Sequence, residues 1–127
     1  MRFSFPLFPA EFEIPDEWWT EAGMAGFTAT RSAYCSTVEA RLILLRDIES
    51  PFRFPECSKD FHGFDRARLI SVLNGIATET EIEPVPLIEL PKVEFVPAPY
   101  RYRVLNGFHR FYASVAAGFE YLPTIIR

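Results

Sequence analysis

Tyr100-Arg101-Tyr102-Arg103-Val104-Leu105-Asn106-Gly107-Phe108-His109-Arg110-Phe111-Tyr112-Ala113-Ser114-Val115-Ala116-Ala117-Gly118 is the stretch that decides the fold. Tyr100, Tyr102 and Val104 alternate with Arg101, Arg103 and Leu105. Aromatic and β-branched residues suit a pleated, half-buried surface, so residues 100–105 read as a strand. Asn106-Gly107 is a turn dipeptide, and Gly107 is free to take positive φ or to let a ligand approach the backbone. Tyr112, Val115, Ala116 and Phe119 recur at i, i+3, i+4 and i+7, which predicts a helix over 108–117 with one buried face. Gly118 stands where that helix stops. Residues 122–126 read as a last strand, with Pro123 near its start or on an edge.

The turn is the place to look for chemistry. The first N–H groups of a helix lack internal partners and carry the positive end of its dipole. His109 and Arg110, in the first helical turn, add side-chain donors to those backbone donors. Together with Asn106 and Gly107 they form a set suited to a phosphate or another anion. On spacing alone a plain tight turn bearing a satisfied surface histidine and a solvated arginine ranks ahead, because a lone Gly-x-His-Arg is a weak signal.

Working outward, the clearest helix covers residues 65–77. Asp65 is a good N-cap, and Leu69, Ile70, Leu73, Ile76 and Ala77 make an apolar stripe. Arg68 and Ser71 lie three apart on one face, away from the centre of that stripe. Asn74-Gly75 is a point where the last turn could loosen. Strands are expected near 38–45 and 86–90, the second bracketed by prolines, with Arg46-Asp47-Ile48 leaving the first for a loop. Pro51-Phe52-Arg53-Phe54-Pro55 is extended by its prolines. Thr78 to Glu83 reads as a solvated acidic loop, and Lys92 to Pro99 as a connector. The loop from Glu56 to Gly63 holds Cys57 and His62, too few ligands for a closed metal site, so zinc is rejected.

Residues 1–40 read as an N-terminal extension packing on the core. Phe3, Phe5, Leu7 and Phe8, broken by Pro6 and Pro9, are expected to lie over a surface groove. Pro15 followed by Asp16 and Glu17 marks a helix start. Trp18 and Trp19 then point in different directions, one to the core and one outward, where it could anchor a partner protein. Covering the main core is the plainer role for the pair. Phe27 to Tyr34 suggest a strand or an irregular hairpin.

Composition bounds the function. At 127 residues, 49% hydrophobic and 24% charged, the chain suits one globular domain with a real core. No apolar run approaches the length of a membrane span, and the N-terminal stretch does not read as a signal peptide. Cys35 and Cys57 are expected to be reduced thiols in a cytoplasmic protein. A net charge of −4 argues against general nucleic-acid binding.

Gly107-Phe108-His109-Arg110, followed by Leu122-Pro123-Thr124-Ile125-Ile126, resembles the ParB/sulfiredoxin superfamily. There a Gly-x-His-Arg or Gly-x-Arg-Arg turn opens a helix and an Ile-Pro-containing strand follows. Asp65, Ala67, Arg68, Leu69 and Ser71 are similar in type and order to the sulfiredoxin helix whose basic residue and serine face the nucleotide. The resemblance covers about residues 40–127, so the domain is placed at 41–127.

It implies an α+β fold, a small mixed sheet packed with helices, with a nucleotide-phosphate pocket over the turn. Gly107, His109 and Arg110 would hold the phosphates, with Arg68 and Ser71 reaching from the other helix. The implied cofactor is ATP or another nucleotide with Mg²⁺. Arg68 stands where sulfiredoxins use lysine, which keeps the charge and changes the geometry. Phe108 stands where sulfiredoxins have the catalytic cysteine and CTP-binding ParB proteins a metal-binding glutamate. It is neither nucleophile nor ligand, so sulfinic-acid reduction is not expected.

Three functions are in view. One is a nucleotide-phosphate-binding domain with phosphotransferase or nucleotide hydrolase chemistry, for which Glu56, Asp60, Asp65 and Glu89 are available carboxylates. The second is a noncatalytic protein-interaction module that retains the fold. The third, a ParB-like DNA-associated protein, ranks last because the chain is acidic and has no room for a recognition helix-turn-helix.

Overall fold

A computed structural model of the chain describes residues 1–7, 10–53, 60–92 and 99–127. The expectations for Phe8, Pro9, Phe54, Pro55, Glu56, Cys57 and most of the 92–99 connector lie outside the described residues. In order, the elements are β1 (Arg2–Ser4), β2 (Glu11–Glu13), α1 (Asp16–Glu21), β3 (Arg41–Leu44), β4 (Ile48–Glu49), α2 (Arg66–Ala77), β5 (Val85–Glu89), β6 (Tyr102–Val104), α3 (Phe108–Ala117) and β7 (Tyr121–Ile126). A single 3₁₀ turn, Leu45–Asp47, joins β3 to β4. The fold is α+β.

β1 and β2 form a small antiparallel hairpin. The other strands form one mixed sheet in the order β3-β7-β5-β6-β4. β7 is antiparallel to β3 and parallel to β5; β6 is antiparallel to β5 and parallel to β4.

Pro123 sits inside β7, an interior strand, and not at an edge. It lies opposite Leu42, and β7's ladder with β5 begins one residue later, at Thr124 opposite Val85. The Leu45 N–H donates to Glu120 O at 3.0 Å. Antiparallel alternation therefore makes Leu42–Pro123 a pair with no hydrogen bond between them. The N–H that proline lacks would have pointed toward β5 ahead of its ladder, so the sheet loses nothing there.

α3 packs on one face of the sheet, where Ile43, Val85, Leu87, Tyr102 and Leu122 are buried, and α2 packs against α3. α2 turns Leu69, Leu73 and Ile76 inward, as its stripe requires, and it runs unbroken through Asn74-Gly75 to Ala77. The Asn74 amide donates to Ala22 O at 3.1 Å, which ties α2 to the end of α1. α3 buries Phe111, Tyr112, Ala113, Ser114, Ala116 and Ala117, far more than one stripe. The reason is its position: it contacts α2, β7 and β1 at once.

The N-terminal segment enters the same core. Phe12 and Ile14 are buried, and Phe12 meets Tyr112 edge-on at 5.0 Å. α1 begins at Asp16, after Pro15, with Asp16 and Glu17 in its first turn. Trp18 and Trp19 are each only 8% exposed, so neither projects outward. Phe3 of the hairpin covers Trp19 at 5.1 Å, and Phe61 covers Trp18 at 6.0 Å. The partner anchor expected of this pair is therefore absent from the surface. Phe27 to Tyr34 form no regular strand; the Ser32 carbonyl instead accepts the N–H groups of Glu120 and Tyr121. Cys35 is a half-buried free thiol. Among the described residues no helix is long and apolar enough to cross a membrane.

Candidate functional site

α2 and α3 bring their N-termini side by side. Asp65 caps α2, its side chain accepting from the Arg68 N–H at 3.0 Å. The Asp65 N–H in turn donates to His109 Nε2 at 3.0 Å, a bond from the start of one helix to the first turn of the other. Acceptance at Nε2 leaves the proton of the neutral ring on Nδ1. Phe64, fully buried just before the cap, packs on Phe108 at 5.6 Å and on Tyr112 at 5.4 Å. This small set of contacts fixes the angle between the helix starts.

Between them lies an open cavity of about 620 Å³. Arg68, Ser71, Asn106, Gly107, His109 and Arg110 all line it, so the six residues read from the two motifs meet at one place. Ala67, Val72, Phe108 and Gly63 complete the lining. Ala67 and Val72 flank Arg68 and Ser71 on the helix surface and were legible from helical spacing. Gly63 carried no signal. Phe108 turns a half-buried ring into the aromatic cluster, 4.9 Å from Tyr112.

Gly107 is the N-cap of α3, with φ 130° and no side-chain cap. The Phe111 N–H is the first to bond back, to Gly107 O at 2.9 Å. Among the described residues the N–H groups of Phe108, His109 and Arg110 have no hydrogen-bond partner. These are the donors that a helix start offers an anion.

The two arginines differ. Arg68 is exposed, and its guanidinium makes no ion pair or hydrogen bond among the described residues. The Arg110 guanidinium donates to the carbonyls of Glu83 at 3.1 Å, Pro84 at 2.9 Å and, more weakly, Asn106 at 3.4 Å. Arg110 thus clasps the turn to the start of β5, and among the described residues the Arg68 guanidinium of the wall has no partner.

His109 is held neutral. Burial is the main cause lowering its pKa; the Asp65 carboxylate opposes the shift and the Arg68 guanidinium adds to it. Its folded value therefore lies below the unfolded one of about 6.5. Above about pH 6.5 the neutral ring contributes fully to stability, and that contribution is lost as pH falls through the folded value. Stability should decline from pH 7 to pH 5 in denaturant titrations, and His109→Gln should flatten the decline. An unchanged slope in the variant would place its source elsewhere.

The Mg²⁺ that the resemblance brings with a nucleotide does not fit these residues. Among the described residues no carboxylate lines the cavity and no group of three His, Cys, Asp or Glu is placed to hold a metal. The Asp60 carboxylate accepts the Arg66 N–H at 2.8 Å, and Asp65 is the cap of α2. Glu89 lies at the far end of β5 from Val85, roughly 13 Å along the strand. Glu56 lies outside the described residues.

No protein-family model matches the chain, and no curated protein sequence matches it.

Proposed function

We propose that the cavity between α2 and α3 binds the phosphate of a nucleotide or of another phosphate-bearing anion. One observation carries this reading: three unpartnered N–H groups at the start of α3 face a cavity whose opposite wall presents the unpaired Arg68. The three N–H groups are fixed by the helix start that Gly107 caps, so they need little rearrangement to receive an anion. The resemblance to the ParB/sulfiredoxin superfamily supports the same site. Ser71 adds a hydroxyl, and Phe108 and Val72 give the apolar side that an organic group would cover.

The reading favours binding over turnover. Among the described lining residues the titratable base is His109, and its Nε2 already accepts the Asp65 N–H. Phosphotransferase and hydrolase activity would need a base from elsewhere.

Isothermal calorimetry with ATP, ADP, CTP and pyrophosphate tests the site. Arg68→Ala should weaken the best of these by about 1.5–3 kcal/mol, the worth of a hydrogen bond to a charged group. Arg110→Ala should lower stability as well, because three carbonyls lose a donor. Equal affinity in Arg68→Ala would defeat the phosphate reading.

A noncatalytic interaction module is the second reading, now on a different surface. Leu42 and Ile125 are 47% and 38% exposed on the sheet face turned away from the helices. Silence with every phosphate ligand would favour it.

A further inference from the structure

Among the described residues the charged side chains that line the cavity are Arg68 and Arg110, and none is acidic. The start of α3 adds the positive end of a helix dipole, and the nearby Asp65 carboxylate is engaged in capping α2. Mg²⁺ demands six oxygen ligands in near-octahedral geometry and is usually anchored by one or two carboxylates. Among the described lining side chains it would find the Ser71 hydroxyl and the Asn106 amide as neutral oxygens, while being repelled by both guanidinium groups. A phosphate already carrying Mg²⁺ also brings less negative charge to donors that are there to receive it.

A phosphate monoester meets the opposite conditions. It carries a charge between −1.5 and −2 at neutral pH on three terminal oxygens. Three N–H groups, the Arg68 guanidinium and Ser71 can satisfy those oxygens without a metal. The organic part of the ester then lies against Phe108 and Val72, the apolar part of the lining.

Resting on the phosphate reading, we propose that the site takes its ligand free of metal. Its ligand class is the small-molecule phosphate monoester, such as a nucleoside monophosphate. Polyphosphates bind there only in competition with Mg²⁺.

Calorimetry on the full chain separates these cases. AMP and ATP are each titrated in EDTA and again in excess MgCl₂, with adenosine and inorganic phosphate as controls. AMP should bind with the same affinity in both buffers. ATP should bind in EDTA and lose about tenfold or more in MgCl₂, since masking one charge beside a guanidinium is worth at least that factor. In Arg68→Ala both ligands should weaken in EDTA, and the Mg²⁺ penalty on ATP should shrink. If ATP binds as well or better with Mg²⁺, the metal-free assignment is overturned while the phosphate site stands. If AMP fails to bind where ATP in EDTA binds, the monoester assignment falls. If nothing binds in either buffer, both readings fall.

Discussion

Gly107→Val should destabilise the fold by roughly 2–5 kcal/mol, combining backbone strain with overpacking. At φ 130° the residue stands where side chains are rarely found. A Cβ placed there would lie 2.9 Å from Val85 Cγ1 and 3.0 Å from Cγ2, with Arg110 Nε at 3.3 Å. Val85 is fully buried in an interior strand and has nowhere to move. Arg110 clasps the start of β5, so displacing it also releases the carbonyls of Glu83 and Pro84. The melting temperature should fall by roughly 10–20 °C. Gly118→Ala is the matched control. Gly118 is also left-handed, at φ 86°, but a Cβ there meets nothing within 4 Å. Its cost should be only the local strain, about 1–2 kcal/mol. Equal losses at the two glycines would show that the crowding at Gly107 contributes nothing.

Phe64→Ala should cost about 3–5 kcal/mol, as for other fully buried phenylalanines cut to alanine. The ring is 0% exposed and touches three parts of the molecule. It meets Phe12 of the N-terminal hairpin at 6.3 Å, Phe108 and Tyr112 of α3, and the Arg53 guanidinium, 5.6 Å above its face. Arg53 also lies over Phe12 and Tyr112. Burial pushes the Tyr112 hydroxyl up to about 12, partly offset by Arg53, so it stays protonated and donates to Pro51 O. Losing the Phe64 ring therefore loosens the hairpin and the helix starts together. Urea titration should show one cooperative transition at lower midpoint, and the anion affinity should fall with it. A loss under about 1 kcal/mol would mean that the cluster does not bind hairpin to helices.

Much of this molecule was legible in local chemistry. Asp65 before an apolar stripe predicted the cap and face of α2, and Gly118 predicted the end of α3, because caps and stripes are decided within a turn or two of chain. Asn106-Gly107 predicted the turn, and the two motifs named six of the residues that line the cavity.

Other features depended on what lies across the fold. Trp18 and Trp19 are adjacent in sequence and both buried, because Phe3 covers one and Phe61 the other. Pro123 is tolerated in an interior strand by the register with β3 and the late start of β5's ladder. Arg110 and Arg68 look alike in sequence. Backbone carbonyls from residues 83, 84 and 106 engage one and leave the other free, a distinction made by long-range placement. His109 is likewise given its tautomer by an N–H 44 residues away. By itself the sequence determined α2, α3, the turn before α3 and the strands near 41–44, 85–89, 102–104 and 121–126, since hydrogen bonding and patterning within a few residues suffice for these, whereas the hairpin β1–β2 and the short β4 carried no such local signal. The tertiary structure alone decided which donors remain unspent and which charges share the cavity, because those depend on contacts between segments far apart in the chain.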